Sequence, residues 1–230
     1  MLDNRTRLVL FAPTVVALWF INSYAVPYLT VEQERFGIYW ARHDWLYVHI
    51  IAGMVALLLG PLQLWLGLNR KARIVHHVAG VGYALGVAVS GTAAFYLARH
   101  TDFGWVFRTG MTAMALAWVV STGMALMAIG FQMVDQHREW MVRSYVLTFG
   151  FVWFRVFLQI VQVVGVGTTT LEQMTAASWF SWAIPLLVTE WVMQVRKILA
   201  LRRQIVLTTK TQRHEEVKEE VIDLQPSLPY

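Results

Sequence analysis

A helix needs about 20 mostly apolar residues to cross a bilayer, and this chain offers six such stretches in succession. They run roughly over 8–28, 45–68, 74–98, 109–131, 140–164 and 175–201. The joints carry charges or turn formers: Glu32 to Arg42, Asn69-Arg70-Lys71, Thr101-Asp102, and Asp135 to Glu139. Inside a bilayer the backbone must satisfy its own hydrogen bonds, so runs of this length are helices. The expected fold is therefore all-α: a polytopic membrane protein with six transmembrane helices and a central bundle of helices two to five. Residues 1–201 form the membrane domain. Residues 202–230 form a polar tail, loosely ordered, with 214–223 as a short charged helix at most.

Composition agrees. The chain is 57% hydrophobic and 14% charged, against about 45–50% and about 25% in soluble domains. Mean hydropathy is +0.49. There is no Cys among the 230 residues, which excludes a thiolate metal site, an Fe–S cluster, covalent haem attachment through C-x-x-C-H, and a Cys nucleophile. No G-x-S-x-G, H-E-x-x-H or phosphate loop is present, so no hydrolytic site is evident.

The net charge of +5 is a topology signal. With a cytoplasmic N-terminus, the inner side holds Arg5, Arg7, Arg70, Lys71, Arg73, Arg138, Arg143, Arg196, Lys197, Arg202, Arg203, Lys210, Arg213 and Lys218, and the outer side only Arg35, Arg42, Arg99 and Arg108. The positive-inside rule then puts both termini in the cytoplasm. From Arg202 onward the acids balance the bases, so no basic patch remains and nucleic acid is not an expected partner. Trp40, Trp45, Trp105, Trp179 and Trp182 fall at outer segment ends, Trp65 and Trp140 near inner ends, as interfacial indoles do. Trp118 and Trp153 read as packing residues. Arg5 and Arg7 ahead of an apolar run, with Ser23-Tyr24-Ala25 after it, have the outline of a signal peptide. The run is long enough to span, and the expectation is an uncleaved helix.

Polar residues inside apolar helices are the informative ones. In the second segment His49, Gly53, Ala56, Gly60, Gln63 and Gly67 alternate spacings of four and three and share one face. Small residues there admit another helix or a flat ligand, and Pro61 is expected to bend the helix. The third segment opens on His76-His77 and places Gly82, Gly86, Ser90 and Ala94 four apart. The fifth aligns His137, Ser144, Thr148, Arg155, Gln159 and Gln162 along one side. Arg155 stands about 21 Å along the helix from Trp140, deep in the bilayer, where it calls for an anion or a cavity, or else snorkels outward past Gln159 and Gln162. Glu190, the obvious acid, sits about 12 Å away in height and is not paired with it.

Histidines from different helices at one depth suit axial ligation of a b-type haem. His77 (or His76) with His137 makes the inner pair and gives the candidate iron ligands His77 and His137. His49 with His100 makes a weaker outer pair. His49, Gln63 and Arg155 complete the candidate binding set.

The H49-x3-G-x2-A-x3-G60-P61-x-Q63 helix, the H77-x2-G-x2-Y83 start and the H137-R138-x-W140-M141-x-R143-S144 box form a set. Together they resemble the bacterial integral-membrane family catalogued as domain-of-unknown-function family 2306, over roughly residues 45 to 165. The resemblance implies a multi-helix domain in the bacterial inner membrane whose activity is unassigned. At the level of fold alone it is similar to the four-helix cytochrome b and ferric-reductase group, although no helix here carries two His a half-span apart. Three functions stay open: a b-type haem electron-transfer module with a quinone or other redox partner, a proton-coupled or anion transporter using Arg155 and the membrane histidines, and a membrane partner or assembly protein without chemistry.

Overall fold

The structure, a computed structural model, describes residues 4–69, 72–165, 167 and 169–223. The inner-side pair Arg70 and Lys71 and the tail residues after Asp223 lie outside the described residues. Eight α-helices account for most of the described chain, joined in places by π and 3-10 turns, and no strand occurs among the described residues. They are α1 (Asn4–Phe20), α2 (Gln33–Phe36), α3 (His43–Asn69), α4 (Arg73–Arg99), α5 (Gly104–Gly130), α6 (Val134–Thr148), α7 (Gly150–Val164) and α8 (Thr170–Asp223). The chain is an all-helical membrane protein. α4 and α5 are long and apolar enough to cross a bilayer, as is the stretch that contains α3. The α6–α7 pair makes a fourth if it is one span.

The second, third and fourth expected segments match α3, α4 and α5 to within five residues at either end. The first is α1 followed by a π turn (Ile21–Ala25) and a 3-10 turn (Val26–Leu29). Two expectations change. The fifth segment is not one helix: α6 and α7 meet at a 47° bend. Phe149 leaves the helical range there, at φ −78° and ψ 1°. Two causes act at that point. The Thr148 hydroxyl donates back to the Ser144 carbonyl at 2.9 Å, a bond that bends helices. Gly150 lets α5 come so close that an added Cβ would overlap the Met114 side chain. The sixth segment, in turn, continues through the stretch expected to be loosely ordered, and α8 stays helical to Asp223.

Two compact units divide the chain, up to Leu186 and from Leu187. In the first, α4 packs on α3 and on α5, α5 packs on α6, and α1 packs on α3. The small-residue stripe of α3 is the seam. A Cβ on Gly86 of α4 would stand 3.0 Å from the Ala52 carbonyl and 3.3 Å from the Ala56 nitrogen, so the two backbones touch. A Cβ on Gly60 would overlap the Tyr145 ring of α6. Large apolar side chains turn the other way: Val78, Val81, Leu85 and Val89 of α4 are exposed, Val78 by 68%. In water such a stripe would be a liability; against lipid it is matched, and small and polar residues form the interior.

A hydroxyl hub ties α4, α5 and α6 together. The Tyr83 hydroxyl lies 2.7 Å from Ser144 Oγ and 2.8 Å from Thr148 Oγ1. The Trp118 indole donates to Thr148 Oγ1 at 3.0 Å. Thr122 Oγ1 is 2.7 Å from Ser144 Oγ and 2.9 Å from the Trp118 carbonyl. Tyr83, Thr122, Ser144 and Trp118 are all buried. Each hydroxyl and the indole has one hydrogen to give, so once the bond from Thr148 to the Ser144 carbonyl is counted the hub has one more short contact than it has hydrogens.

The second unit, described by itself, is the later part of α8. Leu187, Trp191, Ile198 and Leu201 are exposed along it, and Gln194 donates to Glu190 at 2.6 Å.

Two outcomes follow from the packing. Gly60→Leu should lower unfolding stability in detergent by about 1–3 kcal/mol, the usual cost of overpacking, whereas Gly123→Leu, where a Cβ meets nothing within 4 Å, should change little. Tyr83→Phe should cost about 1 kcal/mol, since interhelical hydrogen bonds in membranes average about 0.6 and reach about 1.7 kcal/mol. Equal stability of Gly60→Leu and the parent would contradict the seam.

Candidate functional site

At the end of the bundle where α3 begins and α4 finishes, the first unit forms a partly open cavity of about 250 Å³. Its walls come from the end of α1 and the turns after it, from the 3-10 turn before α3, from α3, α4, α5, the end of α6 and α7, and from the start of α8. Most of the lining is apolar: Phe20, Ile50, Leu57, Met111, Phe151 and Phe154 are typical. Polar atoms come from Tyr24, Tyr28, Tyr39, His49, Ser90, Thr148 and Arg155. The volume lies just under the about 300–1,000 Å³ of small-molecule pockets, and the mixture of an apolar wall with a few polar groups is theirs too. The cavity exists because α3 and α4 present Gly53, Ser90 and Ala94 to it rather than large side chains, and because the α6–α7 bend turns Phe151 and Arg155 onto it.

His49 is held in one orientation. The Ser90 hydroxyl donates its single hydrogen to the His49 carbonyl at 2.9 Å. The ring Nδ1 is 3.0 Å from the Ser90 carbonyl and 2.9 Å from Ser90 Oγ. Both of those neighbours can only accept, so Nδ1 carries the ring proton and is shared between them. The other ring nitrogen, Nε2, then keeps its lone pair, and the residue lines the cavity. The Phe151 ring backs the imidazole with centroids 5.4 Å apart.

Arg155 is five residues into α7 and about 14 Å short of its end at Val164. The guanidinium sits over the Tyr24 ring at 5.3 Å, a cation–π contact. Among the described residues no acid forms an ion pair with it. Other cations have acids: Arg143 has Glu139 at 3.8 Å and Arg42 has Asp102 at 3.9 Å. Gln159 and Gln162, expected on the Arg155 side of one continuous helix, are exposed on α7, while Ser144 and Thr148 are taken into the hub below the bend.

The remaining candidates gather at the opposite end. Gln63 is buried and donates to the His76 carbonyl at 2.7 Å, clamping α3 to the first turn of α4. His76 is half-buried and within electrostatic reach of His137, and its Nδ1 is buried with no hydrogen-bond partner among the described residues. His77 is exposed. The histidine of this doublet that faces the bundle is thus His76. His137 is pinned as His49 is, with Nδ1 2.9 Å from the Ala125 carbonyl. Gln63, His76 and His137 do not line the cavity that holds His49 and Arg155. His100 bonds the Tyr96 carbonyl of its own helix and does not line the cavity either. Among the described residues no three His, Asp or Glu side chains gather to hold a metal ion.

Three groups escape a reading of the sequence by polar outliers. Tyr24, Tyr28 and Tyr39 pass as interfacial aromatics until the turns after α1 and the 3-10 turn before α3 place them in the cavity lining. Trp118 reads as packing but donates its indole N–H. Thr122 lies four residues on from Trp118, and that spacing was the available signal.

The family described as predicted membrane protein (DUF2306) matches residues 46–193, from the start of α3 into α8. No curated protein and no solved structure matches the chain. The matched stretch includes the small-residue seam, the hydroxyl hub and every candidate site residue discussed above except the three tyrosines. On that match the chain belongs to the DUF2306 family of predicted membrane proteins.

Proposed function

We propose that this protein is a six-span protein of the bacterial inner membrane, with both termini cytoplasmic, that binds a small apolar molecule in the cavity beside His49. The observation that carries this reading is a largely apolar cavity of about 250 Å³ with a single imidazole in its lining, tied through Nδ1 to Ser90. A cavity lined only by apolar atoms is a packing defect; one with an oriented acceptor and a cation is built for a molecule with a body and a head. The six spans rest on the apolar runs, on the fourteen-to-four placement of Lys and Arg, and on the apolar faces of α4 and of the later part of α8. The chamber then belongs to the outer half of the bilayer.

This reading has a direct test. Solvent extracts of the purified protein should contain a small apolar molecule that extracts of an Ala94→Phe variant lack, because the added ring fills the chamber. Identical extracts from both would contradict it.

A second reading, the b-type haem module, is favoured by how His49 and His137 are held. A metal-ligating histidine typically donates Nδ1–H to a carbonyl and ligates through Nε2, and both residues have Nδ1 against the backbone of another helix. The cavity lining includes the imidazole of His49 and the thioethers of Met111 and Met114, donor types that haem iron takes. When bound, haem would supply one-electron chemistry; His49 would hold it and Arg155 would face its carboxylates. At the other end His76, not the exposed His77, is the partner for His137. Protein expressed with ample haem should show a reducible Soret and α band. Loss in His49→Ala alone would assign the cavity, and loss in His137→Ala alone the other end. A colourless protein would remove the haem reading.

A further inference from the structure

Arg155 asks for something that the chain does not give it. It lies about 14 Å from the end of α7 and lines the cavity while remaining exposed. A cation within a membrane span is costly unless it finds a partner. What the described chain offers in return is one aromatic face, Tyr24 at 5.3 Å. No acid pairs with it among the described residues, and the cavity lining contains no Asp or Glu. The cavity lining therefore carries a single formal charge, positive, beside mostly apolar walls. His49 adds an acceptor, and Tyr24, Tyr28 and Tyr39 add hydroxyls.

We infer that the molecule taken up by this cavity is an apolar monocarboxylate, its carboxylate paired with Arg155 and its chain or ring in the apolar chamber. This rests on the reading of the cavity as a binding site and names the ligand class for it. A guanidinium has two N–H groups in one plane from which a carboxylate can accept, and the contact with Tyr24 at 5.3 Å uses none of them in an ion pair. The body must be apolar because the walls beyond the polar edge are Ile50, Leu57, Met111 and Phe154. A small hydrophilic anion would leave that volume unfilled, and a neutral lipid would leave Arg155 without a counter-charge.

The test uses the full chain in nanodiscs of neutral lipid. Decanoate, decanol and formate are titrated, and binding is read by calorimetry. Decanoate should bind at least about tenfold more tightly than decanol, the worth of one charge-assisted contact, and formate should compete poorly. Arg155→Gln should bring decanoate down to the affinity of decanol and leave decanol unchanged, and Arg155→Lys should restore part of the preference. Equal binding of decanoate and decanol to the parent protein, unchanged by Arg155→Gln, overturns the carboxylate while leaving the cavity as a binding site. Formate binding as tightly as decanoate also overturns it, in favour of a plain anion site. Failure of both ten-carbon probes to bind overturns the ligand class and the cavity reading together.

Discussion

Inside a bilayer the hydroxyl of Tyr83 has no water to turn to, and a polar atom left alone there is costly. Its answer is to draw Ser144 and Thr148 of α6 to within 2.8 Å, with Trp118 and Thr122 of α5 closing the other side. Three helices are thereby fixed in register by a handful of atoms. The apolar effect that assembles a soluble core does not distinguish a lipid tail from a leucine, so packing and these bonds carry the association. The close approach of α3 to α4 depends on the same logic: Gly86 against Ala52 and Ala56 lets backbones touch where bulk would hold them apart.

The cavity is a by-product of that tight seam made useful. Beside Gly53 and Ser90, the α6–α7 bend brings Phe151 and Arg155 across instead of a straight continuation of α6. Thr148 belongs to both structures: it accepts from Trp118 in the hub and lines the chamber. Ser90 plays a similar double part, spending its hydrogen on the His49 carbonyl and leaving its oxygen to orient the ring. The polar groups at the chamber are thus anchored in elements that hold the bundle together, the condition for a site whose geometry does not drift.

Much of this was legible in the sequence, for identifiable reasons. Apolar runs and their charged breaks locate α3, α4 and α5 because a bilayer imposes length directly. The four-and-three spacing from His49 to Gly67 gives the seam because helical geometry puts those residues on one face. The bend at Phe149 was not legible: it arises from Thr148 bonding backwards and from Met114 pressing on Gly150, and that second contact is tertiary. For the same reason His49 and Arg155 share a chamber while Gln63, on the same stripe as His49, serves the other end. Nor could spacing choose between His76 and His77, since adjacent residues on a helix point about 100° apart and only the neighbouring helices decide which faces inward.

The central claim is that the chamber beside His49 and Arg155 receives an apolar molecule from the membrane. It is tested most directly by photolabelling: a single-chain carboxylate bearing a diazirine is partitioned into nanodiscs with the protein, irradiated, and the labelled positions are read by mass spectrometry. The account predicts label concentrated on chamber residues such as Met54, Met111 and Phe154, and reduced by an excess of unlabelled carboxylate. Label confined to the lipid-facing stripe of Val78, Val81 and Leu85, and insensitive to competition, would contradict it.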